Sequence, residues 1–204
     1  MPHYYSEHQE GTLNLRKFQI IIRGMSFEFF TGSGVFSKNK LDKGTQLLIE
    51  NMIINENDTV LDFGTGVGII GIVASKCFPK AKVIMTELNK RAVKLARLNI
   101  ELNHTANAEI RQGNLFESIR EKFNAILVNP PMKAGYDTCF NIIAQSKDFL
   151  IKGGTLQLVA MHNKGGKRLS VQMKEVFGNT EEIAKKSGYR VYVSKNQIKE
   201  TCLI

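Results

Sequence analysis

The segment Val60-Leu61-Asp62-Phe63-Gly64-Thr65-Gly66-Val67-Gly68 runs from apolar and β-branched residues directly into alternating glycines. Glycine has no Cβ and tolerates positive φ, so a ligand can lie close against such a loop. A second apolar run, Ala125-Ile126-Leu127-Val128, leads into Asn129-Pro130-Pro131-Met132, where the prolines hold one polar side chain on a stiff support. A ligand loop after one buried strand and a rigid polar tip after another predict a site at the carboxyl edge of an open α/β sheet.

Strand and helix patterns alternate on both sides of these segments. Hydrophobic periodicity predicts strands at 58–63, 81–86, 108–112, 124–129 and 154–161, and helices at 42–54, 67–77, 89–103 and 136–151. A small hairpin is expected over 27–36, turning on Gly32 and Gly34, and another over 180–186 and 188–195. The alternation favours parallel strands with right-handed crossovers. We therefore expect an α/β fold with a seven-stranded, mostly parallel sheet and one antiparallel strand from the C-terminal hairpin.

Length and composition restrict the class of protein. A chain of 204 residues is enough for one domain with a full core. No apolar run reaches transmembrane length, and the N-terminus lacks the pattern of a signal peptide. The three cysteines are scattered and fit neither a zinc site nor a disulfide framework, so a cytoplasmic location and no metal are expected.

The charge favours a polyanionic partner. The net charge is +9, and residues 162–204 hold nine basic and four acidic residues. The excess includes Lys164, Lys167 and Arg168 near the start of that segment. Such a concentration of positive charge suits nucleic acid, although a lysine-rich soluble surface would look the same.

The spacing Gly64-x-Gly66-x-Gly68 distinguishes this loop from other nucleotide loops. A dinucleotide fingerprint would need its third glycine at position 69, which is Ile69, and no Gly-Lys-Ser/Thr follows. The loop therefore suits an adenosyl ligand better than a pyrophosphate. Asp62 is placed to accept from a ligand ammonium or to brace the loop. Glu87, at the end of the next strand, is placed to accept from both ribose hydroxyls.

Two further polar residues follow strands of the same sheet. Asn114 comes after the third strand, where its amide could bond an adenine edge or simply form a turn. Asn129 follows the fourth. An exocyclic amino group on a base is a poor nucleophile, because its lone pair is delocalised into the ring. The Asn129 side-chain oxygen and the Pro130 carbonyl could accept its two N–H bonds and aim the nitrogen at an electrophile.

These residues resemble the S-adenosylmethionine-dependent methyltransferases with a Rossmann-like fold. Within them the chain is similar to the small-subunit ribosomal RNA guanine-N2 methyltransferases, in a single-domain prokaryotic form. The motifs that carry this resemblance are His3–Ser6, Gly34–Ser37, Leu41–Thr45, the glycine loop, Asn129–Pro131, Val176–Gly178 and Gly188–Val191. The chain departs from the family pattern at Thr65, Asn114 and Met132, where Cys, Asp and an aromatic residue are common.

The resemblance implies a single methyltransferase domain over 1–204, with residues 1–57 as an extension covering the donor pocket and 58–204 as the catalytic core. It implies catalytic roles for Asn129, Pro130, Pro131 and Met132. It implies donor contacts from Phe36, Thr45, Asp62, Gly64, Thr65, Gly66, Gly68, Glu87, Leu88, Asn114, Leu115 and Asn129. The expected RNA contacts are Lys38, Lys133, Lys164, Lys167 and Arg168.

The expected partner is ribosomal RNA or an assembling small ribosomal subunit, with no membrane and with the protein as a monomer or homodimer. Two other functions are compatible with the same residues. One is methylation of a glutamine amide in a translation factor, which uses the same Asn-Pro-Pro chemistry. The other is a non-catalytic RNA-binding module that keeps the fold.

Overall fold

A computed structural model describes Glu7 and residues 12–35 and 41–197. Its strands are β1 (Arg16–Ile22), β2 (Met25–Thr31), β3 (Thr59–Phe63), β4 (Lys82–Glu87), β5 (Ala108–Gln112), β6 (Phe123–Val128), β7 (Leu150–Met161), β8 (Glu181–Lys186) and β9 (Tyr189–Lys195). Its α-helices are α1 (Lys43–Asn51), α2 (Ile69–Cys77), α3 (Lys90–Leu102), α4 (Tyr136–Phe149) and α5 (Gly166–Phe177). Short 3-10 turns cover Met132–Ala134 and His162–Lys164.

The main sheet has seven strands in the order β5-β4-β3-β6-β7-β9-β8. The first five strands in this order, β5, β4, β3, β6 and β7, are parallel to one another. β9 runs antiparallel to both β7 and β8. The predicted α/β sheet with one reversed strand is therefore confirmed. The chain order changes direction between β3 and β6, and such a switch point opens a crevice at the carboxyl ends of the strands.

Helices cover both faces of this sheet. Successive strand residues point to opposite faces. Val60 accordingly packs in one apolar cluster with residues of α1, α2 and α3, while Leu61 packs in a second cluster with residues of α4 and α5. Among the described residues, no helix has both the length and the apolar character that a membrane span requires.

The N-terminal hairpin is present, but its predicted turn was wrong. The chain reverses at Arg23-Gly24, between β1 and β2, and not at Gly32 and Gly34. Both turn residues have positive φ, 51° and 75°, as a type I′ hairpin turn requires. Arginine seldom adopts positive φ. Of the two residues that a type I′ turn requires, only Gly24 is therefore of a type that predicts the turn from the sequence. An added Cβ at Gly32 would lie 2.5 Å from Leu13 Cδ1, a contact that the exposed Leu13 side chain could relieve by moving.

Two buried asparagines, Asn99 of α3 and its C-cap Asn103, anchor this hairpin. Asn99 bonds both the C=O and the N–H of Phe30, at 3.0 and 2.7 Å. Asn103 does the same with Glu28, at 2.7 and 3.2 Å. Asn99 also donates to the Val67 carbonyl in the glycine loop at 2.8 Å. One side chain thus links the hairpin, α3 and the loop.

Helix α5 was absent from the sequence prediction. Gly165 and Gly166 stand at its start and look like loop residues, which hides the beginning of the helix. The apolar stripe is nevertheless present, because Leu169, Met173 and Phe177 are spaced four residues apart and are buried. This helix packs on α4 and β9, next to the carboxyl edge of the sheet.

Candidate active site

A cavity of about 790 Å³ opens at the carboxyl edge of the sheet. The predicted site residues on its wall are Gly64, Gly66, Glu87, Leu88, Asn114, Leu115, Asn129, Pro130, Pro131, Met132, Lys133 and Lys164. Four other predicted residues, Thr45, Asp62, Thr65 and Gly68, are not on the wall. Phe36 and Lys38 lie outside the described residues. The structure therefore brings most of the predicted donor and acceptor residues to one space.

The glycine loop between β3 and α2 keeps backbone at the cavity wall. Gly64 and Gly66 have φ of 66° and 61°, and an added Cβ at either position would meet nothing within 4 Å. Glycine adopts this left-handed backbone readily, and a side chain here would take up open space in the cavity. Gly68 has a different role, because it precedes α2 with φ 95° and its Cβ would lie 3.0 Å from Ile72 Cδ1.

Asp62 is fully buried behind the loop. Its Oδ2 accepts from the Gly71 N–H at 2.8 Å and from the Thr65 hydroxyl. Its Oδ1 has no hydrogen-bond partner among the described residues. Burial raises the pKa of Asp62 to about 7, in opposition to these two hydrogen bonds. Of the two roles expected for Asp62, these contacts favour the loop brace over direct contact with a ligand ammonium.

Glu87 ends β4 at the cavity wall and holds two backbone segments. Its Oε2 accepts from the Gly66 N–H and its Oε1 from the Asn89 N–H, each at 2.9 Å. Burial raises the pKa of Glu87. The Leu88 backbone also bonds this carboxylate, which offers about four acceptor positions, so capacity for a further hydrogen bond remains. The side chain is thus compatible with the predicted ribose contact while it ties the glycine loop to β4.

The chain after β5 forms the next part of the wall. The Gly113 N–H donates to the Glu87 carbonyl at 3.2 Å, and the Asn114 N–H donates to Glu117 Oε2 at 3.3 Å. Leu115 has φ 48°, so the backbone turns sharply here. Asn114 is exposed, and this position is compatible with both of its predicted roles, the adenine contact and the turn.

The side-chain amide of Asn129 is held in one orientation. Its Nδ2 donates to Asp42 Oδ2 at 3.2 Å and to Thr45 Oγ1 at 2.9 Å. A carboxylate only accepts hydrogen bonds, so the atom facing Asp42 must be the nitrogen. The Asn129 Oδ1 bonds no other described residue and is left for an acceptor group in the cavity. Asp42 is itself fixed as the N-cap of α1, where it accepts from the Thr45 N–H at 2.9 Å.

The prolines and Met132 form the rest of the polar tip. The Pro130 carbonyl accepts from the Met132 N–H at 2.9 Å, and the Pro131 carbonyl from the Ala134 N–H at 2.7 Å. A carbonyl oxygen has two lone pairs, so Pro130 retains one for the predicted amine contact. Met132 packs closely on Gly165, where an added Cβ would lie 2.5 Å from Met132 Cε.

The predicted RNA contacts divide between two neighbouring surfaces. Lys133 and Lys164 line the main cavity. Lys167 and Arg168 line an adjacent groove of about 530 Å³, together with His162, Asn163, Gly165 and Val171. Both surfaces lie where the start of α5 meets the start of α4.

Several residues of the cavity wall were not among the predicted site residues, and Asp42 and Tyr189 are the most informative of them. Tyr189 packs on Gly44, where an added Cβ would lie 2.8 Å from the tyrosine ring. Burial and the negative charge of Asp42 raise the pKa of Tyr189. A signal existed for Asp42, because Asp at the start of a predicted helix three residues before Thr45 is a typical N-cap. The sequence around Tyr189 contains no comparable signal, since β9 reaches the site only through the sheet.

Comparison with known proteins agrees with this geometry. Residues 26–193 match the family model described as the methyltransferase small domain. Ribosomal RNA small subunit methyltransferase C of Haemophilus influenzae is 33% identical over 167 residues, covering 80% of this chain and 49% of that protein. The chain thus spans about half the length of the curated ribosomal RNA methyltransferases that it matches. An uncharacterized Bacillus subtilis protein, YbxB, is 33% identical over 95% of this chain and 98% of its own length.

The solved structures include the same fold. The 16S rRNA N2 methyltransferase RsmC of Thermus thermophilus, solved in complex with AdoMet and guanosine, superimposes with a TM-score of 0.78 and 22% identity. The match covers 92% of this chain and 52% of that one. At this level of identity, the likeness shows the shared fold.

Proposed function

Because this chain belongs to the methyltransferase small domain family, we propose that it transfers a methyl group from S-adenosylmethionine to N2 of a guanine in small-subunit ribosomal RNA. The relatives named for ribosomal RNA methylation support this assignment. The observation that carries it is the orientation of Asn129, whose Nδ2 is bound to Asp42 and Thr45 so that its oxygen is available to an amino group.

The cavity wall fits the donor. Gly64 and Gly66 leave open space along the loop, which suits the methionine part. The remaining acceptor capacity of Glu87 suits the ribose, and the presence of Asn114 and Leu115 on the cavity wall supports an adenine contact there. When bound, S-adenosylmethionine supplies a sulfonium methyl group that bonds to the amino nitrogen as its bond to sulfur breaks.

The polar tip serves the acceptor amine. The Asn129 oxygen and the free lone pair of the Pro130 carbonyl accept its two N–H bonds, which positions the nitrogen and favours the positive charge that it gains in the transition state. Asp42 strengthens this effect, because its negative charge polarises the Asn129 amide through the 3.2 Å hydrogen bond. The nitrogen afterwards releases one proton to water. Met132 covers one side of the acceptor space as an apolar, polarizable group.

The RNA must present an accessible guanine. A base reaches such a cavity only after leaving its stack, so a loop or unpaired guanine of ribosomal RNA or of an assembling small subunit is the expected substrate. Lys133 and Lys164 on the wall are placed for its phosphates. The protein is then expected to act in the cytoplasm, as a monomer or homodimer. Residues 1–57 are proposed to cover the donor, and Asp42 and Thr45 of this segment already contact Asn129.

The decisive experiment is nucleoside analysis after incubation with labelled donor. Unmodified small-subunit ribosomal RNA, the assembled small subunit and translation factors would each be offered as substrate. Labelled N2-methylguanosine is expected from one of the first two. Label on a glutamine amide would favour the translation-factor alternative. Donor binding without any methyl transfer would favour a non-catalytic RNA-binding module.

A further inference from the structure

An arginine lies over an aromatic pair beside the acceptor end of the cavity. The Arg168 guanidinium is 4.3 Å from the ring centroid of Tyr136 and 5.4 Å from that of Phe140. The two rings are 5.9 Å apart, and both are half-buried, whereas Arg168 is exposed. The aromatic contact favours a position of the guanidinium over the rings. The cation therefore lies on an aromatic support at the surface.

Three cationic side chains are concentrated around this stack. Lys164, Lys167 and Arg168 are exposed, and none of them forms an ion pair with another described residue. Lys167 and Arg168 lie in the first turn of α5, which contains no acidic residue. Positive side chains at a helix N-terminus oppose the helix dipole, so this arrangement does not serve helix stability. It does produce a local positive potential suited to phosphates.

The surface is continuous with the acceptor end of the cavity. Gly165 lies in the groove, and its backbone packs against both Met132 and Tyr136, since an added Cβ would lie 2.5 Å from Met132 Cε and 2.8 Å from the Tyr136 hydroxyl. A chain leaving the cavity past Met132 therefore meets the Arg168 stack at once.

Resting on the proposed RNA substrate, we propose that this surface, named here the α4–α5 stack (Tyr136, Phe140, Arg168), binds the nucleotide next to the target guanosine. Its base lies on the guanidinium plane of Arg168, and Lys164 and Lys167 hold the neighbouring phosphates. Single-stranded RNA is the occupant that combines both needs, because bases stack on arginine planes and aromatic rings while the backbone requires cations. The stack would hold the RNA strand open and extend recognition beyond one base.

Two RNA probes separate base stacking from charge. Fluorescence anisotropy would compare a labelled oligoadenylate of about eight nucleotides, a typical single-strand site size, with an abasic oligonucleotide of the same length. Arg168→Lys keeps the charge and removes the planar group. We expect it to weaken oligoadenylate binding about tenfold and to leave abasic binding unchanged. Equal effects on both probes, or no effect on either, would overturn the proposal.

Neighbouring residues provide matched controls. Lys167→Ala should weaken both probes alike and reduce the salt slope by about 0.7. Tyr136→Leu removes the ring below Arg168 and should behave like Arg168→Lys, whereas Tyr136→Phe keeps the ring and should bind like wild type. A Tyr136→Phe variant that loses oligoadenylate binding would argue against stacking. Since binding is measured without donor, methylation that fails while the stack binds would count against the proposed function alone.

Discussion

Asp42 accepts a hydrogen bond from the Asn129 side-chain amide at 3.2 Å, although 87 residues separate them in the chain. The same carboxylate oxygen caps α1 through the Thr45 N–H. This oxygen atom links the start of α1 to the tip after β6, and the Thr45 hydroxyl oxygen is a second acceptor for the same amide at 2.9 Å. An amide that could otherwise turn either end toward the cavity is restricted to one.

Asp42→Ala should lower turnover about tenfold and spare donor binding. The variant removes a hydrogen bond to a charged group, about 1.5 kcal/mol, which corresponds to that change in rate. It also removes a helix cap, about 1 kcal/mol of stability. Asp42→Ser is the matched control, since serine restores the cap without the charge. We expect Ser to recover the melting temperature but not the turnover. Recovery of both by Ser would show that Asp42 acts only through the fold.

Asn129→Ala should leave donor affinity intact and reduce turnover about a hundredfold, as for other preplaced transition-state contacts. Single-turnover kinetics on folded protein would measure this. Asn129→Asp is expected to be no better, because it loses both donated hydrogen bonds and places a second carboxylate beside Asp42. One of the two acids must then hold a proton, which should give this variant a pH dependence that Asn129→Ala lacks. Near-normal turnover in Asn129→Ala would remove the basis of the mechanism.

Donor binding should depend on Gly66 and Glu87, as titration calorimetry with S-adenosylmethionine can test. Glu87→Ala should cost about 1.5–3 kcal/mol of affinity through the lost bonds to a charged group. Gly66→Ala places a methyl group in the cavity and strains a φ of 61°. Gly178→Ala controls for that strain, because Gly178 has φ 77° and open space for a Cβ but ends α5. If both alanines lower stability alike and neither affects donor binding, the assignment of the loop is wrong.

The buried Asp62 should make stability fall as pH rises. Burial raises its pKa from 3.8 to about 7, so between these values the folded chain keeps a proton that the unfolded chain has released. Stability is then lost through this window as pH increases. Urea unfolding at several pH values should give wild type a steeper decline than Asp62→Asn, which has no such group. Parallel pH profiles would mean that Asp62 is ionised in the folded protein.

The pattern of apolar residues along the chain was sufficient to predict the parallel strands of the sheet. The predicted strand 108–112 is Ala108–Gln112 in the structure, and the other parallel strands begin and end within a few residues of their predicted limits. β3, β6 and the second half of β7 are buried almost throughout and form largely apolar runs, whereas β5 is a half-exposed edge strand. Helix α5 was missed because Gly165 and Gly166 at its start resemble a loop and drew attention away from the apolar stripe that follows.

Site residues could be predicted where they stand at the carboxyl end of a parallel strand. Glu87 and Asn129 each follow a buried strand, so parallel topology alone brings them to one edge. Tyr189 could not be found in this way, because its strand enters the sheet in the reverse direction and its contact with Gly44 depends on how α1 packs. Asp62 points to the same face of the sheet as Val60, but its hydrogen bonds with Thr65 and Gly71 depend on the turn of the loop, which the glycine spacing alone does not define.

The paired asparagines of α3 have a consequence for self-association. By bonding the N–H and C=O of Phe30 and Glu28, Asn99 and Asn103 imitate the peptide groups of an additional strand. The N–H and C=O groups of these two residues are thus not free to pair with another chain, and α3 packs on β2, although exposed sheet edges commonly nucleate aggregation. The hairpin sheet thus ends at side-chain amides instead of at the backbone of a further strand. Replacing both asparagines with leucine would leave the N–H and C=O groups of Glu28 and Phe30 unpaired, and we expect the protein to associate with itself through this edge of β2.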